Sequence, residues 1–332
     1  MISVIVPVYN GAQTIASCLK ALLNQTVPRS QYEVIVVDDD STDETREVVK
    51  RFDVRLLSQP NRGPAAARNF GASQARGEIL LFTDADCVPK RDWIEAMLKP
   101  FADLEIVGAK GVYKTRQREL IARFVQIEYE DKYDKMRKDK YIDFVDTYSA
   151  AYRKTVFEEN GGFDPTFPRA SGEDVEFSYR LAQRGYKMVF VPQAVVYHRH
   201  VNSIGGYLRR KYYVGYWRVM MYRKHPQKVI RDSHTPQVLK IQVALSLLSG
   251  TSLFGAFLWK ALLKWAMGFL ILFFFSTLPF CIKALKKDFA VGLASPGILF
   301  LRAMALGLGV VAGLIAQFAR RLMRYEALGF QS

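Results

Sequence analysis

Apolar and polar positions follow two regimes along this chain. Up to about Ser233, short apolar runs alternate with charged stretches; beyond Lys240 long apolar stretches take over. In the first regime Ser3–Val8 is β-branched and closes on "YNG", and Ile15, Leu19, Leu22 and Leu23 then recur at helical spacing. Glu33–Asp38, "EVIVVD", predicts a second strand. Ser41 and Glu44 in "STDE" fit a capping box that opens a helix to about Phe52. Val54–Leu57 predicts a third strand, and Pro64 suits the first turn of an alanine-rich helix ending before Gly77. Glu78–Thr83 predicts a fourth strand. Strands alternating with helices imply an α/β, Rossmann-like, mostly parallel sheet with helices on both faces.

In open sheets of this kind ligands gather beyond the carboxyl ends of the strands. Tyr9 and Asn10, Asp38 to Asp40, and Asp84 with Asp86 all fall at such ends, so three polar clusters converge on one rim. An acidic rim repels phosphate unless a cation intervenes, and Mg²⁺ commonly sits between one or two carboxylates and substrate phosphates. Loop aspartates also cap helices, which suits Asp43 but not a D-x-D that follows an apolar strand. A dinucleotide fold needs G-x-G-x-x-G after the first strand, yet the turn here is "PVYNGAQT", with one glycine. A P-loop is also missing, which leaves a metal to handle the phosphates.

Composition narrows the partners. The chain has 332 residues and formal net charge +15. Arg199, Arg209, Arg210, Lys211, Arg218, Arg223, Lys224, Lys228 and Arg231 crowd the stretch before the apolar tail. Basic residues beside a membrane segment favour anionic headgroups at ~1 kcal/mol each, so an anionic membrane, and not nucleic acid, is the expected partner. Three scattered cysteines, Cys18, Cys87 and Cys281, form no C-x-x-C and suggest neither a disulfide framework nor zinc. Met1 leads into "ISVIVPVYN" without a basic leader and cleavage site, so the N-terminal part is expected in the cytosol.

Several pieces together resemble the family 2 glycosyltransferases of the GT-A fold, from Met1 to about His200: "SVIVPVYN", "VIVVDDDSTDET", "NRGPAAARNFGA", "GEILLFTDAD", "GGFDP", "GEDVEFSYRLAQRGYK" and "VVYHRH". The resemblance implies an inverting, metal-dependent transfer from a nucleotide-diphospho-sugar, with a UDP-sugar favoured over a GDP-sugar. By it, Pro7, Tyr9 and Asp39 line the nucleoside pocket and Arg68 lies near the donor. Asp84 faces ribose or metal, and Asp86 ligates Mg²⁺ or Mn²⁺. Asp174, in the E-D pair with Glu173, matches the catalytic base that takes the acceptor's proton. Glu173 raises its proton affinity. A helix N-terminus rich in acids is the plainer reading of the same residues. His198, ending "FVPQAVVYH", corresponds to a histidine that completes the metal shell in some members. Arg180 reads as a structural ion-pair partner.

The chain departs from that family pattern in places. Asp40 stands where glycine is common, in a turn that aspartate tolerates. "TYSAAYRK" replaces a stretch where Gly and Asn are frequent. The Q-x-x-R-W signature of processive relatives does not follow His198, so one sugar per encounter is expected. Lys114–Lys140 predicts a solvated amphipathic helix, with Leu120, Phe124, Ile127 and Tyr133 on one face; an acceptor-side lid is the alternative.

The tail carries three apolar stretches, Val243–Leu258, Trp265–Ile282 and Ala303–Ala319. The second is about 27 Å long as a helix, marginally enough to span. Pro296 and Gly297 are expected to break the segment before the third into a shallow or re-entrant piece. A first hairpin puts Lys283, Lys286 and Lys287 inside, whereas a third span would put Arg320, Arg321 and Arg324 outside, against the positive-inside tendency. An interfacial Phe289–Ala319 resolves this, and Tyr207–Tyr222 reads as an interface-lying helix. The expected organisation is a catalytic domain over 1–205, a basic aromatic helix or linker over 206–238, and a membrane region over 239–332. The expected function is transfer of one sugar from a cytosolic donor to a lipid-linked or amphiphilic acceptor at the cell (inner) membrane, in envelope polysaccharide or glycolipid synthesis. A catalytically idle membrane scaffold that retains the fold is the alternative.

Overall fold

The computed structural model describes residues 1–167, 172–229 and 232–329, with side chains through Ala319. Arg231 of the basic stretch lies outside the described residues, as do the side chains of Arg320, Arg321 and Arg324. The chain forms two compact units. The first comprises Met1–Gln117, Lys132–His200 and Asp232–His234; the second comprises Arg118–Asp131, Val201–Arg231 and Thr235–Ser332.

In chain order the first unit begins β1 (Ile2–Val8), α1 (Ile15–Leu22), β2 (Tyr32–Asp38), α2 (Thr45–Val49) and β3 (Arg55–Ser58). It continues α3 (Pro64–Ser73), β4 (Ile79–Phe82), β5 (Cys87–Pro89), α4 (Trp93–Leu98) and β6 (Ile106–Lys114). Helix α5 (Leu120–Met136) divides between the units, and β7 (Ala150–Arg153), α6 (Lys154–Glu159), α7 (Glu173–Gln183) and β8 (Lys187–His198) complete the first. Eight strands form one sheet in the order β3-β2-β1-β4-β7-β6-β8-β5. Neighbours β3, β2, β1 and β4 are parallel, with Val8 opposite Asp38 and Ile5 opposite Phe82. Their carboxyl ends therefore share one edge, and the three polar clusters expected at a common rim do meet there.

The remainder of the sheet is mixed. β7 runs antiparallel to both β4 and β6, and β5 runs antiparallel to β8. Hydrophobic alternation did not expose these strands: β7 is the short "AAYR", and β5 is three residues long. The β5–β8 register sets Cys87 opposite His198, which brings a histidine from the far end of the unit beside the D-x-D turn. Beneath that edge Phe82, Tyr152, Phe157, Phe163 and Phe177 pack with ring centroids 5.0–6.4 Å apart, mostly edge to face. Each such ring stabilises by about 1.5–3 kcal/mol on burial, and together they tie the end of β4 to α7.

Two local expectations change. Helix α2 starts at Thr45, and its N-cap makes no side-chain hydrogen bond, so the Ser41–Glu44 capping box does not form. The Ser41 hydroxyl instead accepts the Asn10 amide, and Asp43 accepts the amides of Thr45 and Ala12. The helix also ends at Val49, short of Phe52. Asn10 (φ 51°) and Asp40 (φ 67°) both adopt the left-handed conformation, so the Asp40 turn survives without glycine.

The second unit contains α8 (Ile204–Lys224), α9 (Gln237–Gly255), α10 (Leu262–Lys287) and α11 (Phe289–Gly329). Three helical stretches are long and apolar enough to cross a membrane: Gln237–Gly255, Leu262–Lys287 and Phe289–Ala319. The expected break at Pro296 and Gly297 does not occur, since α11 runs through both. A proline removes a single backbone donor, and packing around it sustains the helix: Ser295, Leu299 and Ala303 are buried in the unit's core. Nor is α5 merely solvated. Phe124, Val125 and Ile127 join Tyr207, Phe273, Cys281, Ala284, Val291, Ile298, Leu299 and Ala303 in one apolar cluster. Leu120, placed on the apolar face by spacing, is exposed.

Candidate active site

The site is assembled around one guanidinium. Arg68, on α3, is almost wholly buried. One of its terminal nitrogens donates to Asp84 at 2.8 Å, and the other donates to Glu173 at 2.9 Å. Asp84 follows β4 and Glu173 opens α7, so a single side chain joins the D-x-D turn to the E-D pair, reaching Glu173 from 105 residues away in sequence. Burial opposes the charge on Arg68, but Asp84 and Glu173 outweigh it and hold the guanidinium protonated. Asp84 responds in the opposite sense: burial raises its pKa more than Arg68 lowers it, and nearby Asp86 adds to the rise.

Asp174 lies next to that clamp. Its carboxylate accepts the Val175 amide at 2.8 Å and the Thr147 amide at 3.3 Å. Burial first, then the charges of Glu173 and Asp146, push its pKa up to about 8 against the pull of Arg68. Asp174 does stand in the acidic first turn of α7, where a helix N-terminus alone lowers a carboxylate's pKa; burial and the neighbouring charges act in the opposite direction. Arg180 behaves as expected of a structural partner, bonding Glu176 at 2.8 Å and the Gly162 carbonyl at 2.8 Å.

Asp86 is half-exposed and 3.2 Å from His198 Nε2. Burial works to raise its pKa, yet the contact with His198 overrides this and lowers it. Oxygens of Asp84 and Asp86 and the Cys87 sulfur all lie within 4.8 Å of one another. Cys87 is a poor third ligand, because burial pushes its thiol well above the ordinary range and keeps it protonated. The usable donors are therefore carboxylate oxygens with an imidazole beside them, a set that fits an oxygen-preferring Mg²⁺ or Mn²⁺ better than zinc.

At the other end of the rim Pro7 is buried in β1 and Tyr9 is half-exposed. Asp39 does not stand open. It accepts Gln59 Nε2 at 2.7 Å, the Arg62 amide at 3.0 Å and the Gly63 amide at 2.8 Å, which ties β2 to the loop before α3. A carboxylate offers about four acceptor positions, so one remains for a ligand.

Three comparisons bear on this arrangement. The sequence pattern described as Glycosyl transferase family 2 matches residues 3–161. Glycosyltransferase AglE of Haloferax volcanii is 31% identical over 226 residues, 64% of this chain and 71% of that protein. The chain belongs to glycosyl transferase family 2. A second relative is the dolichyl N-acetyl-alpha-D-glucosaminyl phosphate 3-beta-D-2,3-diacetamido-2,3-dideoxy-beta-D-glucuronosyltransferase of Methanococcus voltae. It is 22% identical over 67% of this chain and 74% of its own length. Other curated relatives are longer, and the chain spans about half their length. The fold is GT-A. The mannosyltransferase PcManGT from Pyrobaculum calidifontis, solved with GDP-Man and Mn²⁺, superposes with TM-score 0.62 at 24% identity, over 94% of this chain and 86% of that one.

Within this family 2 domain, sequence reasoning missed a layer behind Asp174. Lys110, on β6 and fully buried, forms an ion pair with Asp146 and lies 4.9 Å from the Phe144 ring centroid. The pair anchors the turn that presents the Thr147 amide to Asp174. A lysine in the "IVGAKGVYK" strand was the available signal, since a buried lysine requires a partner. Tyr113 and His200 were missed as well: Tyr113 stacks on His198 at 4.5 Å, and the two Nδ1 atoms of His198 and His200 are 3.2 Å apart.

Proposed function

We propose that this family 2 protein is an inverting, metal-dependent glycosyltransferase that moves one sugar from a nucleotide-diphospho-sugar to a lipid-linked or amphiphilic acceptor. The observation that carries the reading is the Arg68 clamp, which joins the D-x-D turn to Glu173, the chain neighbour of Asp174. Asp84 and Asp86, with His198 alongside, would hold Mg²⁺ or Mn²⁺. Such an ion supplies Lewis-acid stabilisation of the charge that develops on the departing nucleoside diphosphate. Pro7, Tyr9 and Asp39 would receive the nucleoside, with UDP favoured over GDP as its diphosphate.

Asp174 takes the proton from the acceptor hydroxyl as the oxygen attacks the anomeric carbon. The new C–O bond forms on the face opposite the breaking bond to the diphosphate, so configuration inverts. A base with a pKa near 8 accepts that proton far more readily than an ordinary aspartate does. Glu173, held by Arg68, contributes negative charge that keeps Asp174 basic.

Helices α9, α10 and the apolar run of α11 support an acceptor that is itself membrane-bound, as does the dolichyl-linked substrate in the name of the Methanococcus voltae relative. The reading places the enzyme in the cell membrane with its first unit in the cytosol and a role in envelope polysaccharide or glycolipid synthesis. Titrating a panel of UDP- and GDP-sugars into the purified protein, with and without Mn²⁺, tests it. Binding of at least one donor that disappears with chelator and in Asp86→Ala is expected; metal-independent binding of every donor overturns the scheme.

A further inference from the structure

By length and composition α11 is the strongest of the three candidate spans, with mean hydropathy 2.3 against 1.4 and 2.0 for α9 and α10. Its neighbours contradict that ranking. Of its most apolar stretch 44% is buried inside the protein, against 22% for each of the other two, so α11 is the most shielded of the three by its neighbours.

A charged helix meets the junction between α10 and α11. On α5, Arg123 pairs with Asp288 and Glu130 with Lys287, while Asp131 meets Lys283 at 2.8 Å. Further along, Glu128 of α5 receives Arg302 of α11 at 3.3 Å, Lys211 of α8 at 2.7 Å and the Tyr207 hydroxyl at 3.0 Å. Arg302 also donates to Gln242 of α9 at 2.6 Å. Charges on α5 thus engage the end of α10 and Asp288, which precedes α11, and reach α11 itself at Arg302. Hydrocarbon does not accommodate a helix so dense in charge, so the α10–α11 junction and α11 at Arg302 lie where α5 can remain near water.

The second half of α11 is bound to α8 at backbone range. A methyl group added at Gly215 would collide with the Leu306 carbonyl; at Gly309 it would collide with the Tyr212 carbonyl, and at Gly313 with that of Tyr216. These are the close approaches that a G-x-x-x-G spacing permits, here within one chain. Arg209, Arg210, Arg223 and Lys224 of α8 are exposed, and Arg218 stands between them. If α11 crossed the bilayer here, α8 would have to enter with it and carry basic residues from end to end. A helix of this kind lies in the interface plane, its cations on anionic headgroups. Leu301, Leu308 and Ile315 of α11, 44%, 52% and 64% exposed, recur every seven residues and so share one outward face that suits the underlying acyl region.

We infer that α11 is not a third span: with α5 and α8 it forms an in-plane surface that docks on the polar–apolar boundary of an anionic bilayer. Among the described residues this leaves the α9–α10 hairpin as the part that enters the membrane. Without a third crossing, the conflict with the positive-inside tendency raised by Arg320, Arg321 and Arg324 in the sequence does not arise. It rests on the membrane reading given above.

Nitroxide depth measurements test it. Leu301→Cys, Leu308→Cys and Ile315→Cys, spin-labelled one at a time in the full chain, are reconstituted into vesicles containing phosphatidylglycerol. The native cysteines are buried, so the label goes to the introduced site. An in-plane helix places the three labels at equal depth, within about one 5.4 Å turn. A spanning helix produces a steady change of about 20 Å between the first and last position, which overturns the inference. Protein that floats with the vesicles but shows that gradient contradicts this inference alone; protein that does not float contradicts the membrane reading as well.

Discussion

Asp174 carries the sharpest consequences at the scale of single residues. Because burial and neighbouring charge hold its proton up to about pH 8, kcat/KM should rise with pH through that region, and the rise should vanish in Asp174→Asn. Stability should move the other way. A folded-state pKa above the ordinary 3.8 means that ionising Asp174 disfavours the folded state, a cost that grows as pH climbs from about 4 to 8. Asp174→Asn should therefore melt higher than the parent protein at about pH 9, with the difference gone near pH 4. A thermal-melt series across pH checks this. Arg68→Met removes the shared partner of two carboxylates, and should cost about 3–5 kcal/mol in chemical denaturation, with donor binding lost. Asp84, Asp86, Asp174, Glu173, Arg68 and His198 were legible because each stands in a short motif whose order and spacing are distinctive. Lys110 and Asp146 were not, since their pairing is produced only when β6 meets the turn before β7.

Among the elements, the parallel half of the sheet could be read from β-branched runs ending in polar turns, and it sets the rim where Tyr9, Asp39 and Asp84 meet. Strands β7 and β5 could not, because small residues in β7 and a three-residue β5 leave no periodic signal. The α2 start was misread for a related reason: Ser41 finds a tertiary partner in the Asn10 amide that local spacing does not reveal. Lys110→Met leaves Asp146 without its buried cation and loosens the turn carrying the Thr147 amide. The expected result is a loss of about 3–5 kcal/mol and a lower kcat with donor affinity retained. Calorimetry and steady-state kinetics on the same variant separate the two effects. A drop in donor affinity equal to the drop in kcat would move Lys110 to the donor side.

For the whole molecule, composition announced an apolar tail and a basic approach to it, but not which helices are shielded by others. That shielding depends on where α5 sends its charges, and the sequence around Lys114–Lys140 reads as a solvated helix because its acids and bases look exposed until their partners on α10, at Asp288 and at Arg302 of α11 are known. The account proposed is of a family 2 transferase that takes a nucleotide-sugar in its first unit and works on a membrane-bound acceptor. Its central claim is that Asp174 deprotonates the acceptor opposite a cation-dependent donor site. The most direct measurement is transfer of labelled sugar by Asp174→Asn beside donor binding to the same preparation in Mn²⁺. The account predicts donor affinity unchanged and transfer reduced by about 10²–10⁴-fold. Transfer at the parent rate, with donor bound equally well, would contradict it.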